Sequence, residues 1–359
     1  MKCKHLVTTL ALSLMAASAI AEDKKDFGRK HVLISAEPAA KELITMVTSK
    51  VDKKFLGDNP QIDLRSNRKA LKVFCLGSGP DYPDMVATTR TMNADEFKRC
   101  QEREAGGIIQ VKIGYEALVV ASDKKSLDLN LDQRKLYLAL ANDIPDPESK
   151  IKGKLVANPS LTWKDIDSDA QKQKISIYGP AELSRNERSV KLLGMEGGCR
   201  TWDWIPELKN IQRSYRLYRV ICNEPRKDGV YKKADSDKFD LIKTLSSEKN
   251  SIGLMDYNSW EKSKDKLKAY AINELPPTVG TISKGLYPLS RPYYVYIKIS
   301  SLKGLRGVSH VLNELLNEKT LGKNGYLAEM GMVAMPAKEL KREVTQASEF
   351  VVMQAPDPS

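Results

Sequence analysis

Acid–base or nucleophilic catalysis has little to work with in this 359-residue chain. Its three histidines are His5, His31 and His310, and neither of the two outside the N-terminal segment stands beside an obvious nucleophile. A Ser-His-Asp or Cys-His arrangement therefore lacks material, and the chain is expected not to be an enzyme. The five cysteines contain no C-x-x-C spacing, so a zinc site, or any other metal centre or cofactor, is not expected. Cys75, Cys100, Cys199 and Cys222 are an even set of the kind that forms disulfides in exported proteins. Three connectivities are open. The two close spacings favour Cys75–Cys100 and Cys199–Cys222, each closing a loop worth about 3 kcal/mol in the chain-entropy account.

Export is itself legible. Lys2 and Lys4 precede an apolar run from Leu6 to Ile20 that ends Ala19-Ile20-Ala21, the charged, apolar, small-residue order of a cleavable signal peptide. The run is shorter than the roughly 20 residues that span a bilayer. Residues 1–21 are therefore expected to be a signal peptide and the protein to be periplasmic. Without them 338 residues remain, too many for one core, so two lobes are expected. The formal charge falls from +12 to +10 with the loss of Lys2 and Lys4. Those basic residues are scattered and neither line one helix nor interleave with aromatic platforms, so no nucleic-acid partner is expected.

The elements that would carry the chemistry alternate. His31-Val32-Leu33-Ile34 reads as a buried strand, Ser35 stands where a helix would open, and Leu43, Met46, Val47 and Val51 recur at helical spacing. A strand near Gln61–Leu64 leads into the apolar run Ala70–Phe74, and Asn93 with Glu96 has the form of a capped helix start. Ile108–Val120, interrupted by Gly114, reads as two consecutive buried strands able to pass from one lobe to the other. A helix near 131–141, a loop over 143–160, a strand over Ile175–Tyr178 and a helix from Ser184 to Gly194 follow. Helices over 235–245 and 308–316 and strands over Ser251–Met255 and Tyr293–Ile299 complete an α/β rhythm.

Several segments together resemble the bacterial phosphate-binding proteins of alphaproteobacterial type, from about His31 to Pro336. They are Leu71-Lys72-Val73-Phe74-Cys75-Leu76-Gly77, Asp81-Tyr82-Pro83-Asp84-Met85, Val111-Lys112-Ile113-Gly114-Tyr115-Glu116, Met195-Glu196-Gly197-Gly198-Cys199, Tyr287-Pro288-Leu289-Ser290-Arg291-Pro292-Tyr293 and Gly325-Tyr326-Leu327-Ala328. The cysteines fall at that family's positions too. The resemblance implies an α/β, two-lobed periplasmic binding protein fold of type II with crossing hinge strands: lobe 1 over 29–116 plus 289–346, lobe 2 over 117–288. It implies a monomer that holds phosphate or a similar inorganic oxyanion between the lobes and delivers it to an ABC permease in the inner membrane.

The family wraps its anion in hydroxyls, backbone N–H groups at helix starts and an arginine, in loops kept close by glycine. Ile34-Ser35-Ala36-Glu37 replaces Gly-Ser-Ser-Thr, and Arg65-Ser66-Asn67-Arg68-Lys69-Ala70 replaces a loop with several glycines. Ala87-Thr88-Thr89-Arg90 keeps a hydroxyl and the arginine, and Leu183-Ser184-Arg185-Asn186-Glu187 replaces Thr-Ser-Gly-Thr-Arg. The expected ligand residues are thus Ser35, Asn67, Thr89, Arg90, Ser184 and Asn186, with Ser35 and Ser184 equally suited to be plain helix caps. Arg65, Arg68, Lys69 and Arg185 offer either a solvated face or a wider anion site. The substituted charges predict an ion pair between the loops, Glu187 to Arg68 or Arg185 to Glu37. They also admit an alternative, a secreted interaction protein that keeps the fold and has lost phosphate binding.

Overall fold

The longest strand is the one whose sequence is most continuously apolar. Ile108–Asp123 forms a single 16-residue strand, where two had been expected, and every residue from Ile113 to Ser122 is buried. Gly114 makes this continuity possible. Its φ of +134° lies where side chains are strained, and a Cβ there would meet the Met332 side chain at 2.7 Å and the Val333 carbonyl oxygen at 3.0 Å. The chain bends at that point instead of breaking, and the register with the neighbouring strand shifts between Tyr293 and Tyr294.

In this computed structural model, which describes residues 27–357 except 58, 212 and 236–238, eleven strands are present among the described residues. They are β1 (Leu33–Ala36), β2 (Gln61–Leu64), β3 (Met85–Thr88), β4 (Ile108–Asp123), β5 (Asp143–Pro145), β6 (Leu155–Ala157), β7 (Ile177–Gly179), β8 (Tyr231–Lys233), β9 (Ile252–Asp256), β10 (Leu267–Ala269) and β11 (Ser290–Lys298). Nine form one sheet ordered β2-β1-β3-β11-β4-β9-β7-β8, with β10 also on β4, and β5 pairs β6 as a separate hairpin. One half is β1 flanked in parallel by β2 and β3, joined through antiparallel β11 to β4. The other is β7 flanked in parallel by β8 and β9, which meets β4 antiparallel. β4 and β11 thus cross between two α/β halves. The expected signal peptide, 1–21, lies outside the described residues.

Several expectations shift in detail. Residues 70–74 belong to a helix, Asn67–Phe74, because Ala70, Leu71 and Phe74 bury one helical face. The helix after β1 starts at Lys41 and ends at Lys50, burying Leu43, Ile44 and Val47. Ser35 does not open it. It lies inside β1, and Glu37 caps the intervening turn by accepting from the Ala39 N–H at 2.7 Å. Asn93 and Glu96 form a reciprocal capping box. The expected loop over 143–160 holds the β5–β6 hairpin.

Cys75 pairs with Cys100 in the first half, and Cys199 with Cys222 in the second. The first bridge sits in a satellite core with Leu71, Phe74, Val86 and Tyr296, while the main core runs through β4 and spans both halves. No helix among the described residues is long and apolar enough to cross a membrane.

Candidate anion site at the crossing strands

A carboxylate in the middle of a buried strand must find compensation. Glu116, 2 % exposed at the centre of β4, finds it from two elements, β11 and the helix Arg185–Ser189. Arg291 at the start of β11 donates Nε to Oε2 at 2.7 Å, Tyr293 donates its hydroxyl to the same oxygen at 3.0 Å, and the Ser189 hydroxyl donates to Oε1. Arg185, at the start of helix Arg185–Ser189, brings Nε within 4.0 Å of Oε1. Burial pushes the Glu116 carboxyl up, but Arg291, Arg185 and the Ser189 hydroxyl outweigh it and hold the group below its ordinary range.

The two guanidinium groups are not used up by this pairing. Arg185 is 7 % exposed, and its Nε, Nη1 and Nη2 make no hydrogen bond among the described residues. Arg291 Nη2 is likewise unpartnered, and so is Oγ of fully buried Ser35, two residues from Glu37 at the end of β1. Buried donors of this kind are nearly always satisfied in folded proteins. Around them stand Glu37, whose carboxyl is pushed up by burial and drawn down by Arg291 and the Ala39 N–H, and Asp256 at the end of β9, which accepts from Asn186 Nδ2 at 3.4 Å. Gly331 (φ +91°) lies against both Asp256 and Arg185, so that a Cβ there would be 3.4 Å from Arg185 Nη2. The site is therefore enclosed by both halves of the sheet. It lies at the ends of parallel strands, where open α/β sheets place ligands.

The model of the PBP superfamily domain matches residues 21–318. The chain belongs to the PBP superfamily. Among curated relatives, the phosphate-binding protein PstS of Staphylococcus epidermidis is 23 % identical over 350 residues, covering 96 % of this chain and 92 % of that protein. PstS of Staphylococcus saprophyticus is 21 % identical over 355 residues, with 96 % and 93 % covered. Among solved structures, a possible phosphate-binding protein from Planctomyces limnophilus superposes with a TM-score of 0.64 at 16 % identity, over 89 % of this chain and 98 % of that one. PstS from Borrelia burgdorferi gives 0.53 at 16 % identity, over 86 % and 100 %. These similarities agree with the PBP fold described above.

Within this PBP frame the residues expected from sequence are dispersed. Ser35 is fully buried in β1, two residues before Glu37, and its hydroxyl has no hydrogen-bond partner among the described residues. Asn67 and Thr89 bond each other, Asn67 Nδ2 donating to Thr89 Oγ1 at 2.9 Å and Thr89 N–H donating to Asn67 Oδ1 at 3.0 Å. Arg90 is turned to its own half, where it forks onto Glu96 at 2.8 and 2.7 Å. Ser184 caps helix Arg185–Ser189, accepting from Glu187 N–H at 3.1 Å and donating to the Ala181 carbonyl at 2.6 Å. Asn186 reaches Asp256.

The loop-to-loop pairs anticipated do not form. Glu187 pairs with Lys191 at 2.9 Å and Lys233 at 3.1 Å, Arg185 turns to Glu116, and Arg65 pairs with Asp63 at 2.5 Å. A further contact between the halves is made by Arg188, which donates to the Pro38 carbonyl at 2.9 Å and stands 3.6 Å from Glu42. Glu116, Arg291, Tyr293 and Ser189 were not anticipated as site residues. Their signal was present as a charge inside an apolar run and an arginine opening an aromatic strand.

Proposed function

We propose that this protein is the solute-binding component of an ABC uptake system and holds phosphate, or an oxyanion of the same shape, between lobe 1 (29–116 plus 289–346) and lobe 2 (117–288). The observation that carries the reading is the unpartnered guanidinium of Arg185, buried at the crossing strands. Each donor left without a partner in such a place costs about 1–3 kcal/mol, and a planar fork of N–H groups is the natural partner of an oxyanion. Arg291 Nη2 and Ser35 Oγ supply further donors. The names of the relatives, phosphate-binding proteins, agree in substrate class. We place the protein in the periplasm, acting as a monomer that presents its closed form to a membrane permease, and assign it no catalytic step.

Titration calorimetry with inorganic phosphate at fixed ionic strength tests this. The expected affinity is micromolar or tighter, about −8 kcal/mol. Arg185→Met is expected to weaken it at least 100-fold, while Glu116 keeps Arg291, Tyr293 and Ser189 as partners. Absence of both heat and thermal shift in the wild type at millimolar phosphate would falsify the reading.

A further inference from the structure

A second concave site lies in the other half of the molecule, away from the crossing strands. The hairpin β5–β6 and the segment before helix Ile205–Asn210 enclose a groove of about 550 Å³, within the size range of ligand clefts. Its apolar wall includes Ile144, Pro145, Trp202 and Trp204. Both indoles are half-buried, held in the groove and not projecting from the surface. Arg134 lies over the Trp202 ring at 3.9 Å from its centroid, covering the surface on which a sugar would stack.

The charge around this groove is one-sided. Asp146 is already committed to Lys154 at 2.9 Å and to the Glu148 N–H at 3.0 Å. Asp165 is committed to the N–H groups of Leu161 and Thr162 at 2.9 and 2.7 Å. Arg134, Lys150 and Lys152 pair with no carboxylate among the described residues, and Ile151 between the two lysines is 71 % exposed. Three uncompensated cations beside an apolar floor with two tryptophans make the charge and composition of a protein-binding hot spot.

We propose that this groove docks an acidic segment of a partner protein. The segment places an apolar side chain against Ile144, Pro145 and Trp204 and its carboxylates against Arg134, Lys150 and Lys152. A bilayer surface cannot follow the chain into a concavity, which is why a peptide is preferred to an anionic membrane. None of these residues belongs to the anion site, so the inference stands or falls apart from the transport reading.

The test is selection of a displayed random decapeptide library on the full-length secreted protein and, in parallel, on the variant Arg134→Glu/Lys150→Glu/Lys152→Glu. All three residues are on the rim, so the variant is expected to fold, with an unchanged far-UV circular dichroism spectrum and thermal midpoint as checks. Wild-type selection is expected to enrich Asp- and Glu-rich sequences around an aromatic or aliphatic residue. A synthesised winner should bind the variant at least tenfold more weakly by fluorescence anisotropy and lose affinity with salt. The proposal is overturned by no enrichment, by equal binding to both proteins, or by binding to phosphatidylglycerol vesicles without peptide binding.

Discussion

Lys298 ends β11 with its side chain 1 % exposed and its ammonium donating to the Gly77 carbonyl at 2.6 Å. Phe74 lies 4.7 Å from that nitrogen, and the nearby Asp84 is already forked by Arg29 at 2.8 and 2.7 Å. Burial, only partly opposed by Asp84, lowers its pKa to about 7. The native state therefore binds fewer protons than the unfolded chain between pH 7 and about 10.4, and this residue makes stability rise with pH across that window. Lys298→Met is expected to flatten the slope and raise stability near pH 7, read from denaturant midpoints at pH 6.5, 8 and 9.5. An unchanged slope would show that Lys298 stays charged in the fold. At this scale the sequence was only partly legible. Glu116 and Arg291 fall within family-like segments, yet a single chain carries no mark that two charges 175 positions apart share one hydrogen bond. Arg90 had the right chemistry, but Glu96, six residues away and already reading as a capping residue, takes its fork.

Elements were more legible than side-chain partners, because hydrophobic period and capping chemistry are local. The capping box at Asn93 and the helix after β1 follow from neighbours in sequence, and so does the short-range pairing of the cysteines. The reading strained where local preference met a tertiary demand. Gly114 punctuates an apolar run and suggests a break, but the approach of Met332 and Val333 from the chain's return turns it into a bend within one strand. Gly114→Ala should cost about 2–3 kcal/mol, combining the strained φ with the clash against the Val333 carbonyl. Chemical denaturation measures it. A loss below 0.5 kcal/mol would mean that β4 has room to relax and that the bend does not depend on glycine. Ser35 shows the same effect in reverse: its type suits a helix cap, but the parallel pairing of β1 with β2 and β3 holds it in the strand and leaves Glu37 to cap.

For the whole molecule, two lobes meeting at β4 and β11 imply that an anion bound between them favours the closed arrangement by the contacts that arrangement adds. Arg188 is such a contact: it stands on helix Arg185–Ser189 and reaches across to Pro38 and Glu42. Its ion pair with Glu42 is partly exposed, with side chains 35 % and 46 % accessible, and so contributes about 0–1 kcal/mol. The bond to the Pro38 carbonyl adds about 1 kcal/mol more. Arg188→Ala should therefore weaken phosphate binding about tenfold, mainly through faster release, since the encounter with the open cleft is unaltered. Arg185→Met, which removes donors from the anion itself, should lose at least 100-fold. The two variants also differ in shape. Small-angle scattering without phosphate should give a larger radius of gyration for Arg188→Ala than for the wild type, and saturating phosphate should restore the compact value. Equal radii together with unchanged release rates would mean that Arg188 does not hold the lobes together, and that Gly331 against Arg185 and Ser189 against Glu116 are sufficient to keep the cleft shut.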